Sequence, residues 1–120
     1  MRKKDFIDVA ARIAMAGNKR KNYLMAALVK RTDGAIVVAE NGNTKYPDPS
    51  VHAEAKVLRK SDIGCELYVV RVSKKDGSWC MAKPCKNCQV LIRNRGVKKV
   101  YYTTGPNEFT CWNVMRDKKP

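Results

Sequence analysis

The chain predicts an α/β fold: a three-layer α-β-α sandwich built on a five-stranded mixed sheet with helices on its faces. Three observations carry this. Apolar residues switch along the 120 residues between three- and four-residue spacing and strand-like runs of β-branched and aromatic residues. Gly, Pro, Asn and Asp punctuate those runs. Taken in order, the segments read α-β-β-α-β-α-β-β, which a single domain spanning residues 1–120 accommodates.

Each element has its own justification. Asp5 to Ala16 reads as a helix, with Phe6, Val9, Ala10, Ile13 and Ala14 on one side, Asp5 able to cap its start and Gly17 able to end it. Tyr23 to Lys30 and Ala35 to Ala39 read as strands joined by the turn Thr32-Asp33-Gly34, a hairpin. Gly42 to Ser50 is a loop stiffened by Pro47 and Pro49. Ser50 is a suitable N-cap for a helix from Val51 to Lys60. Cys65 to Ser73 is a third strand, in which Arg71 shares the face of Val69 and not that of Tyr68 and Val70; alternation alone would turn it to solvent. Asp76-Gly77 turns the chain, and Trp79 to Lys83 reads as a loop entering Pro84. A helix from Cys85 to Asn94 follows, stopped by Gly96. Val97 to Thr103 is the fourth strand, and after Gly105-Pro106-Asn107 the segment Phe109 to Met115 is a fifth, antiparallel to it.

Two of these helices begin with chemistry. His52, the sole histidine, and Glu54 fall in the first turn of one; Cys85 and Cys88 fall at the start of the other. Residues three apart share a helix face, so both thiols can meet one metal. One imidazole and two thiolates form a three-ligand zinc set whose fourth tetrahedral position is open to water, the layout of a catalytic zinc. Glu54, two residues from the histidine, reaches that water and can shuttle its proton. A C-x-x-C pair also suits a redox dithiol, and Cys65, Cys80 or Cys111 could complete a Cys3His structural site. The redox alternative leaves His52, Glu54 and Pro84 unexplained.

His52-Ala53-Glu54 followed by Pro84-Cys85-Lys86-Asn87-Cys88 is the H-x-E with P-C-x-x-C pairing of zinc nucleobase deaminases. On these residues, and in its order of elements, the chain resembles the cytidine deaminase superfamily. The resemblance implies Zn2+ held by His52, Cys85 and Cys88, with Glu54 moving protons as water attacks C4 of cytosine or C6 of adenine and ammonia departs. It also implies that Ala53 lends its backbone to the base, that Pro84 shapes the loop over the substrate, and that an asparagine, Asn43 in preference to Asn41, contacts sugar or base. Asn41-Gly42-Asn43 is equally well explained as turn chemistry. Tyr46 and Trp79 are candidates for stacking on a base, or for the core.

Composition bears on the partner. Twenty-five Lys and Arg against eleven Asp and Glu give +14, which points to an anionic partner, a nucleotide or a polynucleotide held through its phosphates, unless the surface is merely a solvated basic one. No stretch approaches the roughly 20 apolar residues of a membrane span. The N-terminus has no signal-like apolar run, and five cysteines, an odd number, predict a reducing, cytoplasmic setting. The expected activity is conversion of cytosine to uracil in single-stranded DNA or RNA. Three alternatives stand beside it: a free (deoxy)cytidine nucleotide deaminase, an adenosine deaminase acting on tRNA, and a non-catalytic zinc-containing module that binds nucleic acid. Asp48 to Glu54 looks locally like the tRNA enzymes, but Lys83 stands where those enzymes carry an acid. The resemblance leaves a homo-oligomer open.

Overall fold

The computed structural model describes residues 2–17, 24–41 and 53–120. Its elements in chain order are α1 (Lys3–Met15), β1 (Leu24–Lys30), β2 (Ile36–Glu40), α2 (Ala53–Leu58), β3 (Glu66–Val72), β4 (Trp79–Cys80), α3 (Lys86–Asn94), β5 (Lys99–Gly105) and β6 (Glu108–Asn113). The predicted order therefore stands, the final strand included. The one added strand is β4, where a loop was expected. Its two residues pair antiparallel with β3, Trp79 opposite Val72 and Cys80 opposite Arg71.

The sheet runs β2-β1-β3-β5-β6, with β4 beside the end of β3. Among the described residues only β3 and β5 pair in parallel, because α3 lies between them in the chain and carries the crossover; the other pairs are antiparallel. Alternation then sorts side chains into two cores. Ala26, Leu28, Tyr68, Val70 and Tyr101 meet Phe6, Ile7, Ala10 and Ala14 of α1 on one face. Phe6 lies 5.0 Å from Tyr68, which stacks on Tyr101 at 4.9 Å. Ala27, Val29, Leu67, Val69 and Val100 meet Ala53, Val57 and Leu58 of α2, Ile92 of α3, and Trp112 on the other. The result is the three-layer sandwich, with α1 on one side and α2 and α3 on the other.

Element ends differ from expectation in instructive ways. Helix α1 starts two residues early, and Asp5 accepts the Arg2 N–H at 2.8 Å from inside the first turn, where it also favours the helix dipole. Helix α3 starts at Lys86, since Cys85 is extended (φ −67°, ψ 166°) and acts as the cap. Gly96 stops it with φ 73°, and a Cβ there would come within 3.1 Å of Ile63. Among the described residues, no helix is long and apolar enough to cross a membrane.

Candidate active site

The α2–α3 layer ends before β3 does, and the gap is a cavity of about 230 Å³ lined by Met25, Glu54, Arg71, Met81, Ala82, Lys83 and Cys85. Two helix starts supply its chemistry. Glu54, in the first turn of α2, is 1 % exposed, and Ala53 before it is fully buried, so the local backbone is fixed by packing. Cys85 caps α3: its Sγ accepts the Cys88 N–H at 3.5 Å, and its carbonyl accepts the Gln89 N–H at 2.8 Å. Pro84 is buried immediately before the cap, and its carbonyl accepts the Gln89 side-chain N–H at 2.8 Å.

Glu54, Cys85 and Cys88 are in contact. The Cys88 thiol, 1 % exposed, hydrogen-bonds with both Cys85 and Glu54. Burial foremost, then the neighbouring Glu54 carboxylate and the Cys85 thiol, push Cys88 far above the ordinary thiol range. Buried beside a carboxylate, the Cys88 thiol resists ionising, and a bound cation inverts that preference, deprotonating a coordinating thiol outright. Two sulfurs on one helix turn, one receiving a backbone N–H, suit a borderline-soft divalent ion such as zinc. Among the described residues no three His, Cys, Asp or Glu side chains form a complete ligand group. His52, the third ligand expected, adjoins the buried Ala53 but lies outside the described residues, as do Asn43 and Tyr46.

The remaining expected site residues separate. Trp79 packs half-buried against the α1-side core, the opposite sheet face from Glu54, so its cross-strand partner is Val72 and not the cavity. Asn41 is 1 % exposed; its Oδ1 accepts the Met25 N–H at 2.9 Å and its own N–H donates to the Met25 carbonyl at 3.0 Å, so it prolongs the β1–β2 pairing by one residue. Cys65, Cys80 and Cys111 are absent from the cavity lining, and Cys65 is buried in the sheet-side core.

Other residues are brought to the cavity or its borders by tertiary structure that sequence reasoning does not reach. Met25, Arg71 and Cys80 are register partners across β1, β3 and β4, and Arg71 forms part of the cavity wall. Alternation assigned Arg71 its face correctly; that the helix layer stops short of it is a tertiary fact. Lys83 stands at the same wall. Thr103, fully buried at the end of β5, donates from its hydroxyl to the Cys80 carbonyl at 2.7 Å and accepts the Arg71 N–H at 3.4 Å, while its carbonyl accepts the Ala82 N–H at 2.9 Å. One residue, through its hydroxyl and its carbonyl, thus ties β3, β4 and the segment leading to Cys85 together. Nothing in a β-branched residue ending a strand announces that role.

Comparison with known proteins gives a family and a fold. The cytidine and deoxycytidylate deaminase zinc-binding region matches residues 1–104. Among solved structures, cytidine deaminase from Burkholderia pseudomallei superposes with a TM-score of 0.70 at 16% identity, over 95% of this chain and 94% of that one. Cytidine deaminase from Mycobacterium leprae gives 0.51 at 18% identity, over 87% of this chain and 91% of that one. No curated protein sequence matches the chain.

Proposed function

The chain belongs to the cytidine and deoxycytidylate deaminase family, a zinc-binding family of hydrolytic enzymes, and from that premise we propose that it converts cytosine to uracil within single-stranded DNA or RNA. The observation that carries the chemistry is the buried Glu54 carboxyl, in hydrogen-bonding contact with Cys88 and forming part of a cavity wall shared with Cys85. His52, Cys85 and Cys88 would hold the zinc. When bound, zinc supplies the positive charge that brings the pKa of a water down to about 7.

The protein's own groups do the rest. Glu54 takes a proton from the attacking water and delivers it to ring nitrogen N3 as oxygen bonds to C4. It then carries the hydroxyl proton to the amino group, the C4–N bond breaks, ammonia leaves and a carbonyl remains. Burial removes competing solvent from that carboxyl, so its proton goes to the substrate. The Ala53 backbone and Pro84 border the base, the one fixed by packing in α2, the other by the Gln89 contact. Arg71 and Lys83 bring positive charge to the cavity wall, and with a net +14 they favour a base carried on a phosphate chain.

A second reading, a free deoxycytidylate or cytidine deaminase, is favoured by the family, which takes in cytidine and deoxycytidylate deaminases, and by both structural neighbours, which are cytidine deaminases. The test is turnover by the zinc-loaded protein on cytidine, deoxycytidine, deoxycytidine monophosphate, a cytosine-containing single-stranded oligonucleotide, and adenosine and RNA counterparts. The expected result is release of ammonia from the oligonucleotide. Turnover of the monophosphate alone would establish the second reading. Adenosine turnover alone would overturn the choice of base, and silence on all, with zinc present, would leave a binding module.

A further inference from the structure

A second cavity, of about 540 Å³, lies along the outer side of α3, between that helix and the C-terminal segment. Its lining includes Lys83, Lys86, Arg93, Lys118 and Lys119, and no Asp or Glu among the described residues. Lys118 and Lys119 are themselves exposed, but the backbone that carries them is held. The Arg93 side chain donates to the Lys118 carbonyl and lies 5.9 Å over the Trp112 ring. The Trp112 indole N–H donates to the Asp117 carbonyl at 3.0 Å, and Trp112 itself is 1 % exposed in the core. The C-terminal lysines are therefore presented by a segment tied to the core, facing the cations of α3.

Lys83 lines both this groove and the Glu54 cavity, so the two adjoin at that residue. Lys86 and Arg93 are two helical turns apart, about 10 Å along the axis, further than one phosphate spans. Val90, between them on the same side, is 59% exposed and offers an apolar surface to a base. A cation-lined track with an apolar contact, adjoining a cavity that accepts one unpaired base, has the features of a single-strand binding groove.

We infer that the groove between α3 and the C-terminal segment is a phosphate track that holds the single-stranded nucleic acid flanking the target base. This rests on the polynucleotide reading above and deepens it. The test measures binding of a fluorescein-labelled, cytosine-containing single-stranded DNA, and of its RNA counterpart, by anisotropy across a salt series. It compares the zinc-loaded wild type with the triple variant Lys86→Gln, Lys118→Gln, Lys119→Gln and with the charge-preserving triple Lys→Arg variant. Zinc content and melting temperature verify that each is folded, and deamination of the oligonucleotide and of deoxycytidine monophosphate is followed in parallel.

Loss of three phosphate contacts predicts a log–log salt slope shallower by about 2 for the glutamine variant, with the arginine variant restoring the wild-type slope. Equal slopes in wild type and glutamine variant, with the oligonucleotide still deaminated, would overturn the groove and leave the polynucleotide reading standing. Deamination of the monophosphate alone, with no oligonucleotide bound by the wild type, would overturn both.

Discussion

At the residue scale the proposed chemistry rests on Glu54 and the two cysteines. Glu54→Gln keeps the shape of the side chain and removes its basicity, so deamination should fall by at least about 100-fold, within the range general acid–base groups supply, while one zinc per chain is retained by elemental analysis. Retained turnover would remove Glu54 from the proton path. Cys88→Ser should lose zinc outright and with it much of the stability, since metal binding and folding are coupled; a variant that still holds one zinc per chain would exclude Cys88 as a ligand. That Glu54, Cys85 and Cys88 meet was legible because their spacing is a geometric constraint: thiols three apart at a helix start share a face. Trp79 was misleading for the opposite reason. A half-exposed indole near a site has no spacing rule, and only the pairing of β4 with β3 turns it toward the α1 side.

At the element scale the alternation of Tyr68, Val69, Val70 and Arg71 placed every β3 side chain on its observed face, and Gly96 ended α3 as its positive φ requires. The sequence was silent on where one layer ends over another, and so on the cavity that exposes Arg71. It was silent too on Thr103, whose bonds depend on three segments distant in the chain. Thr103→Val keeps the volume but leaves the half-buried Cys80 carbonyl without this donor. The expected cost is about 1–3 kcal/mol in urea unfolding, together with a loss of kcat on the order of tenfold or more as the segment from Met81 to Cys85 shifts. Destabilisation with kcat intact would show that Thr103 holds the sheet and does not position the site.

For the whole molecule, a metal shared by the starts of α2 and α3 would join two helices of one layer, while α1 packs on the far side of the sheet with no part in it. Chelation should therefore act on one face. Melting temperature should drop on removal of zinc and recover on its return, as binding to the native state alone requires. Amide exchange should rise in α2 and α3 and stay protected in α1 and β1. Uniform loss of protection would mean that the two faces unfold as one unit. The overall order of elements could be read in the chain because each has its own periodicity and stop signal; the +14 charge could be read as well, but its concentration in a groove between α3 and the C-terminal segment could not, since Lys86 and Lys118 are neighbours only after folding.

The Thr103 tether has an evolutionary and engineering corollary. Because the chain is re-anchored at Cys80 and Ala82 before it reaches the cysteine pair, the reversal at residues 73–78 is insulated from the catalytic geometry. Loop-closure entropy grows slowly with length, so that reversal is where a longer arm or a grafted recognition hairpin can be spliced in without retuning the chemistry.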